Sequence, residues 1–95
     1  MKKELTDQEN SENRIKKLRY QSWHRGWKET DLILGRFADE NLAKMDAPTL
    51  DIYEQLLDEN DADIWDWLVG KAPPKHDFYT QILKELLEYG KYKQA

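Results

Sequence analysis

Apolar residues recur three or four positions apart along most of this 95-residue chain, which is the period of an amphipathic α-helix. They fall into five groups with this spacing, at 15–23, 32–38, 50–57, 64–68 and 78–87. No segment alternates apolar and polar residues over a length typical of a strand. The pattern therefore predicts an all-α fold, a small five-helix bundle, with the short connections that helical bundles prefer.

Capping and breaking residues set the expected ends of these helices. They predict helices that run from Ser11 to His24–Arg25, from Lys28–Glu29 to Leu42, from Asp46 to the break at 59–61, from Asp61 or Asp63 to Gly70, and from His76–Asp77 to Gly90. The prolines of Ala72-Pro73-Pro74 force an extended linker before the last helix. Because residues 1–10 and 91–95 are polar, we expect a single helical domain over 1–95 with flexible tails at both ends.

Two features inside these helices predict particular packing. Gly35 lies in the interior of the second helix, where glycine costs about 1 kcal/mol against alanine. We expect it to be tolerated because a neighbouring helix packs closely there. Trp65 and Trp67 lie about 200° apart around one helix. We expect one of them in the core and the other half exposed, either as a contact anchor or packed at the edge against the proline linker.

Composition narrows the possible functions. Because the chain has no cysteine, disulfides, thiolate metal sites and cysteine nucleophiles are excluded. No apolar run approaches the roughly 20 residues that span a bilayer, so we expect no membrane insertion. The N-terminal region has no secretory apolar segment, and Glu4, Asp7, Glu9 and Glu12 argue against a transit peptide. We therefore expect a cytoplasmic protein.

The net charge of −4 conceals an asymmetry along the chain. Ten acidic residues and a single lysine lie between Asp39 and Asp66, whereas residues 1–38 carry nine basic and six acidic groups. An acidic middle repels a phosphate backbone, so we expect no nucleic-acid partner. The acidic residues form either a solvated helix surface or a docking face for a basic partner, and the second alternative predicts salt-dependent association.

Residues suited to catalysis are scarce. His24 and His76 lie in different segments with no cysteine or carboxylate at metal-ligand spacing, and no serine, histidine and acid set suggests a nucleophilic triad. The carboxylates lie on exposed helix faces, which do not shift a pKa as acid–base catalysis requires. We therefore expect neither an enzyme nor a metal site, and no cofactor bound by the chain itself, because a glycine-rich phosphate loop is also absent.

The segment Arg25-Gly26-Trp27-Lys28-Glu29, here called the corner, joins the first two helices and has two compatible interpretations. In the first it is a helix–helix turn: Gly26 ends one helix, Glu29 reaches back to cap the next, and Arg25 is a solvated cation. In the second it is a recognition site. Gly26 then admits a partner backbone, Arg25 and Glu29 offer charged contacts, and Trp23 and Trp27 supply apolar area.

The motif around the corner resembles a known family. Arg25-Gly26-x-x-Glu29, then Asp31-Leu32-x-Leu34-x-x-Phe37-Ala38, and later Asp61-x-Asp63-Ile64-Trp65-x-Trp67-Leu68 with Gly70, are similar to the small assembly factors of succinate dehydrogenase. These are known in bacteria as SdhE and in mitochondria as the flavinylation factor. The resemblance covers roughly residues 12–72. Two residues depart from it, since His24 stands where another basic residue is usual and Trp27 where a smaller aliphatic residue is usual.

The resemblance implies a function. It implies a five-helix bundle that binds the flavoprotein subunit of succinate dehydrogenase, or in some bacteria of fumarate reductase, and promotes covalent attachment of FAD to a histidine of that subunit. Its signature residues map onto Arg25, Gly26 and Glu29, and we expect Trp23, Trp27 and Asp31 to join them in partner binding, in a monomer. Two alternatives stay open: an acidic adaptor for basic partners, and an antitoxin-like antagonist of a small membrane-associated toxin.

Overall fold

The computed structural model describes the backbone of residues 7–94 and the side chains of residues 12–90. Five α-helices account for most of this part of the chain: α1 Asp7–Trp23, α2 Lys28–Asn41, α3 Ala47–Leu57, α4 Asp61–Leu68 and α5 Thr80–Gln94. Two short 3₁₀ turns, Leu42–Lys44 and Asp77–Tyr79, follow α2 and precede α5. The described residues contain no strand, and the all-α five-helix prediction is confirmed. None of these helices combines the length and apolar character needed to cross a bilayer.

The helix ends differ from the sequence prediction at both termini. Helix α1 begins at Asp7 instead of Ser11. Helix α5 continues through Gly90 to Gln94, so the prediction that Gly90 ends it is wrong. A Cβ placed on Gly90 would lie 3.4 Å from the Ile33 side chain, which shows that this glycine faces α2 inside the helix. The predicted flexibility of 1–10 and 91–95 stays a prediction, since the ends of these tails, residues 1–6 and 95, lie outside the described backbone.

Helix α2 lies at the centre of the bundle and packs against α1, α4 and α5. Its Leu34 and Phe37 are completely buried. Two linked hydrogen bonds cross this core. Tyr53 of α3 and Ser22 of α1 share one of 2.6 Å, and the Ser22 hydroxyl donates another, of 2.7 Å, to the Leu18 carbonyl oxygen. Burial raises the pKa of the Tyr53 hydroxyl above its ordinary value, so this link between α1 and α3 stays protonated.

Capping side chains explain where α3 and α4 begin. Asp46 accepts a hydrogen bond from the Thr49 backbone N–H at 3.0 Å, which confirms the predicted start of α3. Helix α4 is capped by Asn60, whose side chain accepts from the Asp63 N–H at 2.9 Å. The prediction that Asp61 or Asp63 caps this helix is therefore wrong. The carboxylate of Asp61 has another partner, described below.

The two tryptophans of α4 do not divide into one core and one half-exposed residue. Both Trp65 and Trp67 are half-buried and pack against the core from its edge. The ring of Trp67 lies 5.6 Å from that of Tyr79, and Trp67 shares a groove wall with Pro74. The helix is only eight residues long, so residues on either side of its buried face still reach the neighbouring elements.

Gly35 is a point of close approach, as predicted. A Cβ at this position would overlap the six-membered ring of Trp23, which lies across the α2 backbone. The Trp23 indole N–H points to the carboxylate of Asp39, one turn further along α2, with N–O distances of 3.2 and 3.3 Å. Trp23 thus fastens the end of α1 to the middle of α2.

We expect Gly35→Ala to lower the free energy of unfolding by about 1–2 kcal/mol. Displacing the Trp23 ring costs about 1–3 kcal/mol as overpacking, and the better helix propensity of alanine returns up to about 1 kcal/mol. Urea denaturation followed by circular dichroism measures the difference. Gly90→Ala is the matched control, because its Cβ has an ordinary contact distance of 3.4 Å to Ile33 and should keep or raise stability. Equal stabilisation by both substitutions would contradict the packing described here.

Candidate partner-binding corner

The corner is a sharp reversal between the end of α1 at Trp23 and the start of α2 at Lys28. Its turning residue is Gly26, with φ of +123°. L-residues with a side chain are strained at this φ, by about 1–3 kcal/mol. A Cβ at Gly26 would meet no atom within 4 Å, so the constraint comes from the backbone and the space in front of it is open.

Asp31, in the first turn of α2, closes the corner from within. Its carboxylate accepts a hydrogen bond from the backbone N–H of Arg25 at 3.0 Å and lies 3.5 Å from that of Gly26. The prediction that Glu29 caps α2 is wrong, because Glu29 is only the second residue of the helix and Asp31 holds the preceding backbone instead. Asp31 is half-buried, and whether it also touches a partner stays a prediction.

Arg25 does not lie in solvent, which corrects the prediction of a solvated cation. Its side chain is 11% exposed, and Nε donates to Oδ1 of Asp61 at 2.6 Å, a carboxylate that is itself 12% exposed. The other guanidinium nitrogens donate to the backbone carbonyls of Leu57 and Glu59. The Thr30 hydroxyl lies 3.3 Å from the same Asp61 oxygen. We call Arg25, Asp61 and the two carbonyls the Arg25 clamp.

The clamp connects the turn between α1 and α2 to the turn between α3 and α4. The Leu57 carbonyl is the last of α3, where a helix leaves carbonyl oxygens without intrahelical partners, and the Glu59 carbonyl follows two residues later. Asp61 is the first residue of α4. One guanidinium therefore satisfies the end of α3, pairs with the start of α4 and fixes both against the turn between α1 and α2. It holds the corner in one position relative to the rest of the fold.

The structure separates the predicted site residues into two groups. Trp23, Arg25 and Asp31 have contacts within the fold, through the Gly35 backbone, the clamp and the corner N–H groups. Gly26, Trp27 and Glu29 are exposed. Trp27 is 44% exposed, and among residues 12–90 the Glu29 carboxylate has neither a hydrogen bond nor an ion pair. We call Gly26, Trp27, Lys28 and Glu29 the exposed corner.

A groove that the sequence did not predict borders the clamp. It holds about 290 Å³ and is lined by residues of α1 and of the end of α3: Tyr20, Gln21, His24, Arg25, Leu57 and Asp58. The rings of Tyr20 and His24 are in contact, with their centres 4.3 Å apart and their planes tilted by 33°. The two residues are four positions apart and lie outside the apolar stripe of α1, and this spacing is the feature of the sequence that could have predicted their contact. Within the described side chains, no three histidine or acidic groups converge in a way that suits a metal ion.

Comparison with known proteins gives a consistent result. Residues 16–90 match the family model described as the flavinator of succinate dehydrogenase. The chain is 45% identical over 69 residues to succinate dehydrogenase assembly factor 2 of Dictyostelium discoideum, which covers 73% of this chain and 49% of that protein. The same factor of Schizosaccharomyces pombe is 44% identical over 77 residues, covering 79% of this chain and 55% of that protein.

A bacterial relative matches over more of its length. The FAD assembly factor SdhE of Acetobacter pasteurianus is 30% identical over 88 residues, which is 93% of this chain and 81% of the relative. The chain spans about half the length of the mitochondrial relatives named above. The matched segment contains the corner, the clamp and all of α2, α3 and α4. The chain belongs to the family of succinate dehydrogenase flavinators.

Proposed function

We propose that this chain is an assembly factor that binds the flavoprotein subunit of succinate dehydrogenase and promotes covalent attachment of FAD to it. Family membership supports the class of partner. The observation that carries the proposal is the exposed corner, which presents a half-exposed tryptophan and an unpaired carboxylate on a backbone that the clamp holds in place.

The exposed corner has the properties of a binding site. Tryptophan is enriched among residues whose truncation costs most of the binding energy. A surface that is ordered before binding loses little conformational entropy when the partner arrives. Gly26 leaves open space beside Trp27, so a partner backbone can come close to the turn. Arg25 and Asp31 serve this site as positioning residues, whereas Trp27 and Glu29 contact the partner.

The mechanism assigns the chemistry to the flavoprotein and to FAD, and the chain acts without catalytic groups or a cofactor of its own. It binds preferentially to a conformation of the flavoprotein in which the receiving histidine and the flavin are aligned. A factor shifts a conformational equilibrium only by its difference in affinity for the two states. Alignment of the two reacting groups then raises the rate, because orientation is a large part of the barrier to a reaction between bound groups.

Producing the flavoprotein subunit with and without this chain tests the proposal. We expect the covalently bound flavin, seen as fluorescence of the denatured subunit on a gel, to rise when the chain is present. Isothermal titration of the purified chain into the flavin-free subunit should show binding. No change in covalent flavin together with no binding at low salt would overturn the proposal.

The acidic adaptor makes a different prediction for the same preparations. Residues 39–66 carry ten acidic groups and one lysine, so an adaptor would bind through charge alone. Its affinity for the flavoprotein would then fall steeply with salt and would not depend on Trp27. Binding that persists after Trp27→Ala and disappears at 0.5 M salt, roughly a 4 Å Debye length, would favour the adaptor.

A further inference from the structure

The groove beside the corner is lined by two aromatic side chains and one carboxylate. Tyr20 is 67% exposed, the largest exposure of any large hydrophobic side chain that the structure describes. Its ring lies against that of His24, one turn further along α1, with 4.3 Å between the ring centres and 33° between the planes. This contact orients the Tyr20 ring, and both side chains line the groove together with Asp58, at the end of α3.

Asp58 is the unpaired member of an acidic row. Asp51, Glu54 and Asp58 follow one another at intervals of three and four along the same face of α3 and its C-terminal end. Arg14 pairs with the first two, at 2.6 Å from Asp51 and 2.8 Å from Glu54. Within residues 12–90, the Asp58 carboxylate has no ion pair and no hydrogen bond.

The one cation in the groove wall does not compensate Asp58. Arg25 belongs to the clamp, and its guanidinium is paired with Asp61. No arginine or lysine that lines the groove therefore compensates the Asp58 carboxylate. A cation over the face of a tyrosine ring and beside a carboxylate gains from both. The planar guanidinium suits this arrangement better than an ammonium group, because it stacks on the ring while it donates to the carboxylate.

We propose that this groove binds an arginine side chain of the protein that covers the exposed corner. The inference rests on the proposed function for the identity of that protein, the flavoprotein subunit. The guanidinium stacks on Tyr20 and pairs with Asp58, directly beside the clamp. The groove thus extends the contact surface from the turn onto α1 and the end of α3, and it fixes the register of the partner segment.

A small probe tests the groove without the flavoprotein. We expect N-acetyl-arginine amide, titrated into the ¹⁵N-labelled chain at low salt, to shift the amide signals of Tyr20, Gln21 and His24. N-acetyl-lysine amide should shift them less at the same concentration, and Asp58→Asn should abolish the response. Equal shifts with lysine would assign the groove to any cation and overturn the preference for arginine. If the amide signals of the acidic segment 39–66 all shift by similar amounts, the groove is not the binding site.

Binding to the flavin-free flavoprotein tests the partner. We expect Asp58→Asn to weaken binding about five-fold at low salt, the range of an exposed ion pair, with the difference vanishing at high salt. Tyr20→Leu should weaken it by a similar factor, whereas Tyr20→Phe keeps the ring and the affinity. Glu85→Gln is the control: it removes the same charge on α5, and an amide oxygen there can still accept from Gln81.

The outcomes separate this inference from the proposed function. If the wild-type chain binds and both Asp58→Asn and Tyr20→Leu bind equally well, the groove is not a partner contact, while the proposed function stands. If the wild-type chain does not bind the flavoprotein at all, the proposed function fails. The arginine probe then decides whether the groove is an arginine site for another protein.

Discussion

Replacing Arg25 by alanine is expected to lower the free energy of unfolding by about 3–5 kcal/mol, the range for removing one partner of a buried ion pair. The Asp61 carboxylate, 12% exposed, would keep only the Thr30 hydroxyl at 3.3 Å. The carbonyls of Leu57 and Glu59 would lose their donors at the same time. Since a small domain has a net stability of about 5–15 kcal/mol, this loss is a large part of the total.

Two further variants identify the cause of the Arg25 effect. Arg25→Lys keeps the charge but replaces a planar group of several donors by a point charge, so we expect an intermediate loss. Arg14→Ala removes an arginine that also pairs with two carboxylates, but these are 64% and 46% exposed, and we expect a loss within about 1 kcal/mol. Urea denaturation of the three variants measures the order. Equal losses of unfolding free energy in Arg25→Ala and Arg14→Ala would contradict the stabilising role of the clamp.

The second large effect concerns partner binding. We expect the double variant Trp27→Ala, Glu29→Gln to bind the flavin-free flavoprotein at least about 30-fold more weakly, because a truncated hot-spot tryptophan costs about 2 kcal/mol or more. Its stability should stay within about 1 kcal/mol of the wild type, since both side chains are exposed and neither caps α2. Isothermal titration calorimetry measures the affinity of the variant for the flavoprotein, and circular dichroism confirms that the variant is folded.

Gly26 is a poorer probe of the same surface. Any side chain at its φ of +123° strains the turn, so a loss of binding by Gly26→Arg would combine blocked contact with a displaced corner. Lys28→Gln supplies the matched control for the double variant: it lies between the two substituted residues and changes one exposed charge. A similar loss of affinity in Lys28→Gln would indicate that charge at the corner, and not the tryptophan, dominates binding.

The helices were predictable because their signals are local. Apolar spacing, the Asp46 cap and the prolines each act within a turn or two, and α2, α3 and α4 lie close to where the sequence places them. The close packing at Gly35 was also predictable, because a glycine inside a helix is unfavourable and close approach of a neighbouring helix is a common explanation for it. Gly90 carried the same signal, but its position near the end of the apolar stripe favoured a stop signal, and the contact with Ile33 was not visible from the sequence.

The clamp could not be predicted because its partners are distant in the chain. Arg25 and Asp61 are 36 residues apart, and only the packing of α1 against α3 and of α2 against α4 brings them together. The sequence predicts a solvated Arg25 and a capping Asp61, whereas the folded chain pairs the two and leaves the α4 cap to Asn60. Glu29 does not cap α2, and Asp31, two residues further on, accepts the backbone N–H of Arg25 before the helix begins.

The covalent flavin content of the flavoprotein tests the central proposal most directly. It is measured in three preparations: with the wild-type chain, with the double variant Trp27→Ala, Glu29→Gln, and with neither. Flavin fluorescence of the denatured subunit on a gel reports only covalently attached flavin. We predict a high yield with the wild-type chain and a yield with the folded double variant close to that without any factor. A wild-type yield from the double variant would contradict the proposal that this chain acts through its exposed corner.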